Sequence, residues 1–218
     1  MKGAIFDLDG TLLDSMKYWG EVVPKYLESK GLKMDARTQQ DVDSMTLMQT
    51  SSYLKKKYNL EDSEEKISID TNLIIENDYK FNIPLKPYVR TFLDQMKKRN
   101  IKMCIATATD SHLVMYAIKR LRLEEYFEFI ITTTEVGISK GESAKIFNDA
   151  LLKLNTKKEK TYIFEDAPFA VKNAYLDHFK VVGIYDDYYK EFHENMKKRT
   201  VLFIDNFKKF DFSLYDKI

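Results

Sequence analysis

Short apolar runs and helical stripes alternate along most of the chain, and one long stretch breaks the alternation. Gly3-Ala4-Ile5-Phe6 is a compact apolar run that stops at Asp7. Similar runs occupy residues 101–106, 129–131, 162–164, 181–184 and 201–204. Runs this short, bounded by polar residues, read as buried strands. Helical stripes lie between them. Val89, Phe92, Leu93 and Met96 share one face, as do Leu113, Val114, Ala117, Ile118 and Leu121 behind an N-cap at Asp110 or Ser111. Ile146, Phe147, Ala150, Leu151 and Leu154 form a third stripe. Such stripes report core packing. Strands alternating with helices predict an α/β fold, a doubly wound parallel sheet covered on both faces.

Residues 15–82 carry no strand signal. Trp19, Val22, Val23, Tyr26 and Leu27 keep helical spacing, with Gly31 as the stop. Pro24 bends that helix or moves its start. Residues 46–58 and 62–81 also read as helices, the second opened by Asp62 and Glu65 as a capping-box pair. The pattern predicts a core domain of residues 1–14 and 84–218, interrupted by an all-helical domain at 15–83. Ile83-Pro84-Leu85-Lys86-Pro87 is the expected return hinge, because two prolines stiffen it and stop a helix.

Composition narrows the function classes. The 218 residues are 44% hydrophobic and 32% charged, with 35 Lys and Arg against 34 Asp and Glu. Disorder needs low hydrophobicity and high net charge, and neither is present. A net charge of +1 argues against a nucleic-acid partner, whose phosphates demand a basic excess. No run approaches the ~18 apolar residues that cross a bilayer, so no membrane partner is expected. The N-terminus does not resemble a targeting signal, since Asp7 and Asp9 interrupt its apolar stretch. The single cysteine, Cys104, forbids an intrachain disulfide and fits a reducing cytoplasm. Balanced charge and a two-part architecture favour a monomer.

Three apolar runs end in oxygen-rich groups: Asp7, Thr107 and the pair Glu165-Asp166. In open α/β sheets, ligands bind at the carboxyl ends of the strands. Side chains distant in sequence would meet there. Several carboxylates in one cleft repel one another. A divalent cation relieves that repulsion, and oxygen ligands favour Mg2+.

The segment Asp7-Leu8-Asp9-Gly10-Thr11 fixes four residues of Asp-x-Asp-Gly-Thr, a chance match of about 10⁻³ for the whole chain. It resembles the first motif of the haloacid dehalogenase (HAD) superfamily. Thr107, within Ile105-Ala106-Thr107-Ala108-Thr109, is similar to the second motif. Lys140 matches the third-motif lysine, and Glu165-Asp166 the acidic fourth motif. A helical insert just after the first motif resembles the small cap of the β-phosphoglucomutase-like subfamily, and the likeness covers nearly the whole chain. It implies a Rossmann-like HAD core with a cap, and a Mg-dependent phosphatase acting on a small phosphorylated metabolite such as a sugar phosphate. Asp7 would be the nucleophile, forming an aspartyl-phosphate, and Asp9 the general acid and base. Thr107, the Ala108 amide and Lys140 would hold phosphate oxygens. Asp7, Asp9 through its backbone carbonyl, Asp166 and Glu165 would bind or position the metal. A phosphomutase is the alternative, as is a phosphometabolite-binding protein without catalysis. Asp9 speaks against dehalogenation, because dehalogenases of this fold lack it.

The chain departs from the family pattern in places. Lys140-Gly141-Glu142-Ser143-Ala144-Lys145-Ile146-Phe147 is one residue longer than usual and lacks both prolines, which leaves Lys145 as a substitute for Lys140. Ala170 and Asp177-His178 stand where glycine and Ala-Gly are common, and Pro87-Tyr88 replaces Pro-Gly. Gly137-Ile138-Ser139-Lys140-Gly141 also fits a hydrolase nucleophile elbow, with Asp166 and His193 following in triad order. No apolar strand runs into Gly137, so that reading is set aside. Cys104 reads as a core thiol, His112 as a surface residue at a helix start, and Trp19 as a cap-helix core residue within reach of substrate.

Overall fold

The computed structural model describes residues 1–217. Six strands form one sheet: β1 (Gly3–Phe6), β2 (Lys102–Thr107), β3 (Ile130–Thr132), β4 (Thr161–Glu165), β5 (Lys180–Ile184) and β6 (Leu202–Ile204). All six apolar runs become strands, with ends shifted by a residue or so. The spatial order is β3-β2-β1-β4-β5-β6, and every pairing is parallel. This is the doubly wound order, whose switch point lies between β1 and β4. Parallel strands buried on both faces need apolar residues throughout, and β1 and β4 are buried at every position.

The first helices fill the gap between β1 and β2: α1 (Met16–Ser29), α2 (Thr38–Val42), α3 (Leu47–Tyr58) and α4 (Glu64–Asn77). A wider π turn, Asp78–Asn82, follows α4. Val23, Tyr26, Leu27, Val42, Leu54 and Ile67 make a hydrophobic cluster of their own there. Helix α1 runs through Pro24 rather than starting after it. The expected Asp62–Glu65 capping pair does not form. Ser63 caps α4, accepting from the Lys66 amide at 3.2 Å. Asp62 is instead taken by Lys30 at 2.5 Å and the Tyr26 hydroxyl at 3.3 Å. A charged partner outcompetes a local backbone amide for the carboxylate.

The two crossings between this helical stretch and the sheet run side by side. Leu13 bridges Leu85, Asp14 N–H donates to the Pro84 carbonyl at 3.0 Å, and Lys86 N–H to that of Leu12 at 2.9 Å.

The remaining helices are α5 (Val89–Lys98), α6 (Ser111–Arg120), α7 (Thr133–Val136), α8 (Lys145–Leu154), α9 (Pro168–Leu176), α10 (His193–Lys197) and α11 (Ser213–Asp216). They cover both sheet faces. Phe6, Phe92, Phe164 and Phe210 pack with α5 on one face; Ile5, Cys104, Phe147 and Val171 pack with α8 and α9 on the other. Tyr88, where glycine is common, sits at φ +68° before α5, a left-handed conformation that strains a bulky side chain. Among the described residues, no helix is long and apolar enough to cross a membrane.

Candidate active site

The carboxyl ends of β1, β2 and β4 converge beneath α1–α4. Asp7 follows β1 directly, and its amide donates to the Phe164 carbonyl at 2.9 Å, locking it beside β4. The chain then reverses: Leu12 and Leu13 amides both reach the Leu8 carbonyl. Gly10 makes the reversal at φ +76°, and a Cβ there would lie 2.0 Å from Asp166 Oδ2. Glycine is thus required twice over, for its backbone and for its lack of bulk.

Asp7, Glu165 and Asp166 each offer a carboxylate oxygen within 4.8 Å of the others, all three side chains being buried. Among the described residues, one lysine is hydrogen-bonded to them. Lys140, 3% exposed, donates to Asp7 Oδ1 at 2.5 Å and to Glu165 Oε2 at 2.8 Å. Thr11 donates to Asp166 Oδ1 at 2.9 Å, but Asp166 Oδ2 is buried with no partner. Burial, then the neighbouring carboxylate charges, hold the Asp7 and Asp166 carboxyls well above the usual range. Burial works against the Lys140 ammonium, yet Asp7 and Glu165 hold it above its own range. A surplus of buried negative charge, with an orphaned oxygen, suits a hard divalent cation such as Mg2+.

Asp9 points elsewhere. Its carboxylate is not part of the cluster but accepts from Tyr79 Oη at 2.5 Å and Thr109 Oγ1 at 2.6 Å. The Trp19 indole N–H donates to the same Tyr79 hydroxyl at 3.0 Å. Burial and the Asp9 charge push the Tyr79 phenol up, which keeps it a donor. Tyr79 stands on the π turn, and Arg120 fixes that turn by donating to the Tyr79 carbonyl at 3.0 Å and to that of Ile83.

Thr107 is buried at the end of β2, accepting from the Thr109 amide at 3.2 Å, and Ala108 is exposed beside it. Lys145 is not in the site: it pairs with Asp149 at 2.5 Å on the outer face of α8. His193 also lies elsewhere, bonded to the Asp186 carbonyl and packed on Tyr185 and Phe203. Ser139 Oγ donates to Glu142 at 2.8 Å, so no hydrolase triad assembles. Cys104 is buried, and burial pushes its thiol up, which makes it a poor nucleophile. Asp110 precedes α6 but does not cap it with its side chain, which accepts from Asn72 and Thr134, each at 2.8 Å.

A cavity of about 180 Å³ opens over these groups, lined by Asp7, Asp9, Thr107, Ala108, Lys140, Glu165 and Asp166 below and by α1–α4 above. Gln49 to Glu142 at 2.9 Å, Tyr188 to Asp43 at 2.8 Å and Asn72 to Asp110 tie the helices down over it. Tyr79, Thr109 and Gln39 in this site escaped sequence reasoning. Tyr79 and Gln39 belong to no motif, and only folding brings them there.

Comparison with known proteins agrees with the geometry. A phosphorylated carbohydrates phosphatase of Thermotoga maritima is 27% identical over 183 residues, covering 80% of each chain. CbbY from Rhodobacter sphaeroides, solved with phosphate, superposes with a TM-score of 0.85 at 18% identity, covering 99% of this chain and all of the other. The β-phosphoglucomutase of Clostridium difficile gives 0.79 at 19% identity, covering 100% and 98%. The sequence profile of haloacid dehalogenase-like hydrolases matches residues 4–184. The chain, an enzyme by that match, belongs to the haloacid dehalogenase-like hydrolase family.

Proposed function

We propose that the protein is a Mg-dependent phosphatase that hydrolyses a small phosphorylated carbohydrate or similar metabolite. The carrying observation is the division of labour between two carboxylates two residues apart. Asp7 lies in the buried acidic cluster against Lys140, whereas Asp9 is held outside it by two hydroxyls. In this reading one attacks and the other exchanges protons. The phosphatase of Thermotoga maritima gives the substrate class its support.

In this reading residues 15–83 are a cap over a core of 1–14 and 84–218. An Asp7 oxygen attacks phosphorus in line with the ester bond, and that bond breaks as Asp9 gives its proton to the departing alkoxide. Asp9 then takes a proton from water, whose oxygen attacks the phosphoryl group and frees Asp7. Thr107, the Ala108 amide and Lys140 hold the non-bridging oxygens. Asp7, Asp166 and the Asp9 carbonyl, with Glu165 beside them, would hold Mg2+, which supplies positive charge against the incoming dianion. The cap excludes water while this proceeds. Balanced charge and the single thiol support a cytoplasmic monomer in this reading.

Phosphate release from aryl and sugar phosphates should require Mg2+ and stop with chelator. No release from any ester under either condition would overturn hydrolysis in favour of transfer or of binding alone.

Tyr79 gives a separate test. Tyr79→Phe removes a hydroxyl that orients Asp9, and misplaced catalytic groups cost up to about 10²-fold in rate. The loss should fall on kcat. It should also be greater for an alkyl phosphate, whose leaving group needs the proton, than for a nitrophenyl phosphate, which leaves without one. Equal losses on both would show that Tyr79 only supports the fold.

A further inference from the structure

The loop that carries Lys140 lacks the usual prolines, and the structure gives that departure a physical reason. Residues 137–144 join α7 to α8. On one side Asn173 of α9 donates its side-chain amide to the Lys140 carbonyl at 2.7 Å and to the Gly141 carbonyl at 2.9 Å. On the other side the loop meets the connection between α2 and α3. A Cβ on Gly141 would lie 2.6 Å from the Ser44 carbonyl oxygen and 2.8 Å from the Ser44 Cβ. Any side chain at 141, a proline ring included, would drive these two segments apart. Glycine is needed here for close approach alone, since its φ lies outside the left-handed region.

A polar contact backs this close approach. Gln49 stands in the first turn of α3, and that helix orients its side chain. The Thr46 amide donates to Gln49 Oε1 at 2.8 Å, one half of a capping box, which turns the Gln49 amide nitrogen outward. That nitrogen donates to Glu142 Oε2 at 2.9 Å. The same carboxylate oxygen accepts from the Ser139 amide at 3.2 Å and from the Ser139 hydroxyl at 2.8 Å. Gln49 first, then Ser139, hold the Glu142 carboxyl below its usual range, so it stays an acceptor for all three donors. Ser139 and Glu142 bracket Lys140 and Gly141. A side chain of the helical insert is thus bonded to the turn whose lysine meets Asp7 and Glu165.

We propose that Gly141 and Glu142 are positioning residues through which the cap, docked by Ser44 and Gln49, sets the place of Lys140. The phosphate site is then complete only when the cap is shut. This rests on the phosphatase reading, in which residues 15–83 are a cap, and adds a coupling to it. The contact falls on the lysine's own loop and not on the substrate. An open cap takes Gln49 away from Glu142 and Ser44 away from Gly141, which leaves Asn173 as the loop's remaining brace. Displacing a catalytic group's support by about 1 Å costs up to about 10²-fold in rate.

Two variants of the full chain break the contact from opposite sides. Gly141→Ala puts a methyl group against Ser44. Gln49→Glu keeps the oxygen that caps α3 but sets a second carboxylate against Glu142. Neither should lower the melting midpoint by more than about 4 °C. With Mg2+, each should lower kcat for phenyl phosphate about tenfold, and calorimetry should show inorganic phosphate bound about tenfold more weakly. The deciding measurement repeats both substitutions in Lys140→Ala. With the lysine gone, each should cost less than about twofold in turnover and in phosphate affinity, because groups that act as a unit are not additive. A full tenfold cost in that background would overturn the coupling, since the contact would then act on something other than the lysine. Phosphate affinity reads the coupling without turnover. If wild type hydrolyses no ester while the phosphate affinities follow this cycle, the coupling stands and the phosphatase reading falls. If both single variants bind phosphate as wild type does, the coupling is overturned whatever the turnover.

Discussion

Asp7→Asn should reduce phosphate release by at least about 10⁴-fold while leaving the protein folded, with a melting temperature no lower than that of the wild type. The activity loss follows from chemistry. A neutral amide cannot attack phosphorus, and the other carboxylates have different work: Asp9 is held by Tyr79 and Thr109, and Asp166 is tied to Thr11. The stability expectation follows from electrostatics. Burial and the Glu165 charge already disfavour the ionised Asp7 carboxyl. An amide of the same shape removes one of three mutually repelling charges, and Lys140 keeps Glu165 at 2.8 Å. Phosphate release and a thermal melt on the same preparation check both halves. Near wild-type turnover would place the nucleophile on another residue; a collapsed melt would show that Asp7 has a structural duty.

Lys140→Ala should fail in the opposite way, losing stability as well as activity. The variant strands Asp7, Glu165 and Asp166 within 4.8 Å of one another without their cation. Breaking a buried ion pair from one side typically costs about 3–5 kcal/mol. For a chain of this size each kcal/mol shifts the midpoint by about 2–4 °C, so the metal-free variant should melt roughly 10 °C or more below wild type. Mg2+ should restore part of the loss, because a ligand that binds only the folded state raises its stability with concentration. Turnover should fall about 10²–10³-fold, the usual cost of removing one preorganised donor. Lys145→Ala is the control. Lys145 is exposed and its partner Asp149 only half-buried, which makes this a surface pair, worth at most about 1 kcal/mol. If Lys145→Ala cost the activity and Lys140→Ala did not, the phosphate-site lysine would have to be reassigned.

Much of this protein is written in local pattern. Six apolar runs ending in polar groups become six parallel strands, because a strand buried on both faces admits little else. Asp7, Thr107 and Asp166 could be named beforehand because they stand at strand ends, and parallel strands bring those ends together wherever they lie in sequence, whereas Asp9 was named by the resemblance of its motif. The choice between Lys140 and Lys145 was different. Both fit the spacing, and only the packing of the loop before α8 buries one against Asp7 and leaves the other in solvent. Tyr88 shows the same limit: its departure from glycine is legible, while its left-handed backbone is set by the turn into α5. Asp62 looked like a cap until Lys30, distant in sequence, claimed it.

Tyr79 and Gln39 lie wholly on the tertiary side. Neither belongs to a motif, and 70 residues separate Tyr79 from Asp9. The sequence by itself determined the sheet and the acidic cluster, because these depend on alternation and on residue type at strand ends, while the class of chemistry came from the resemblance of the Asp7–Thr11 motif. The tertiary structure alone decided which lysine faces the carboxylates and which hydroxyls bond Asp9. Those are contacts between distant segments, whose geometry no local pattern encodes.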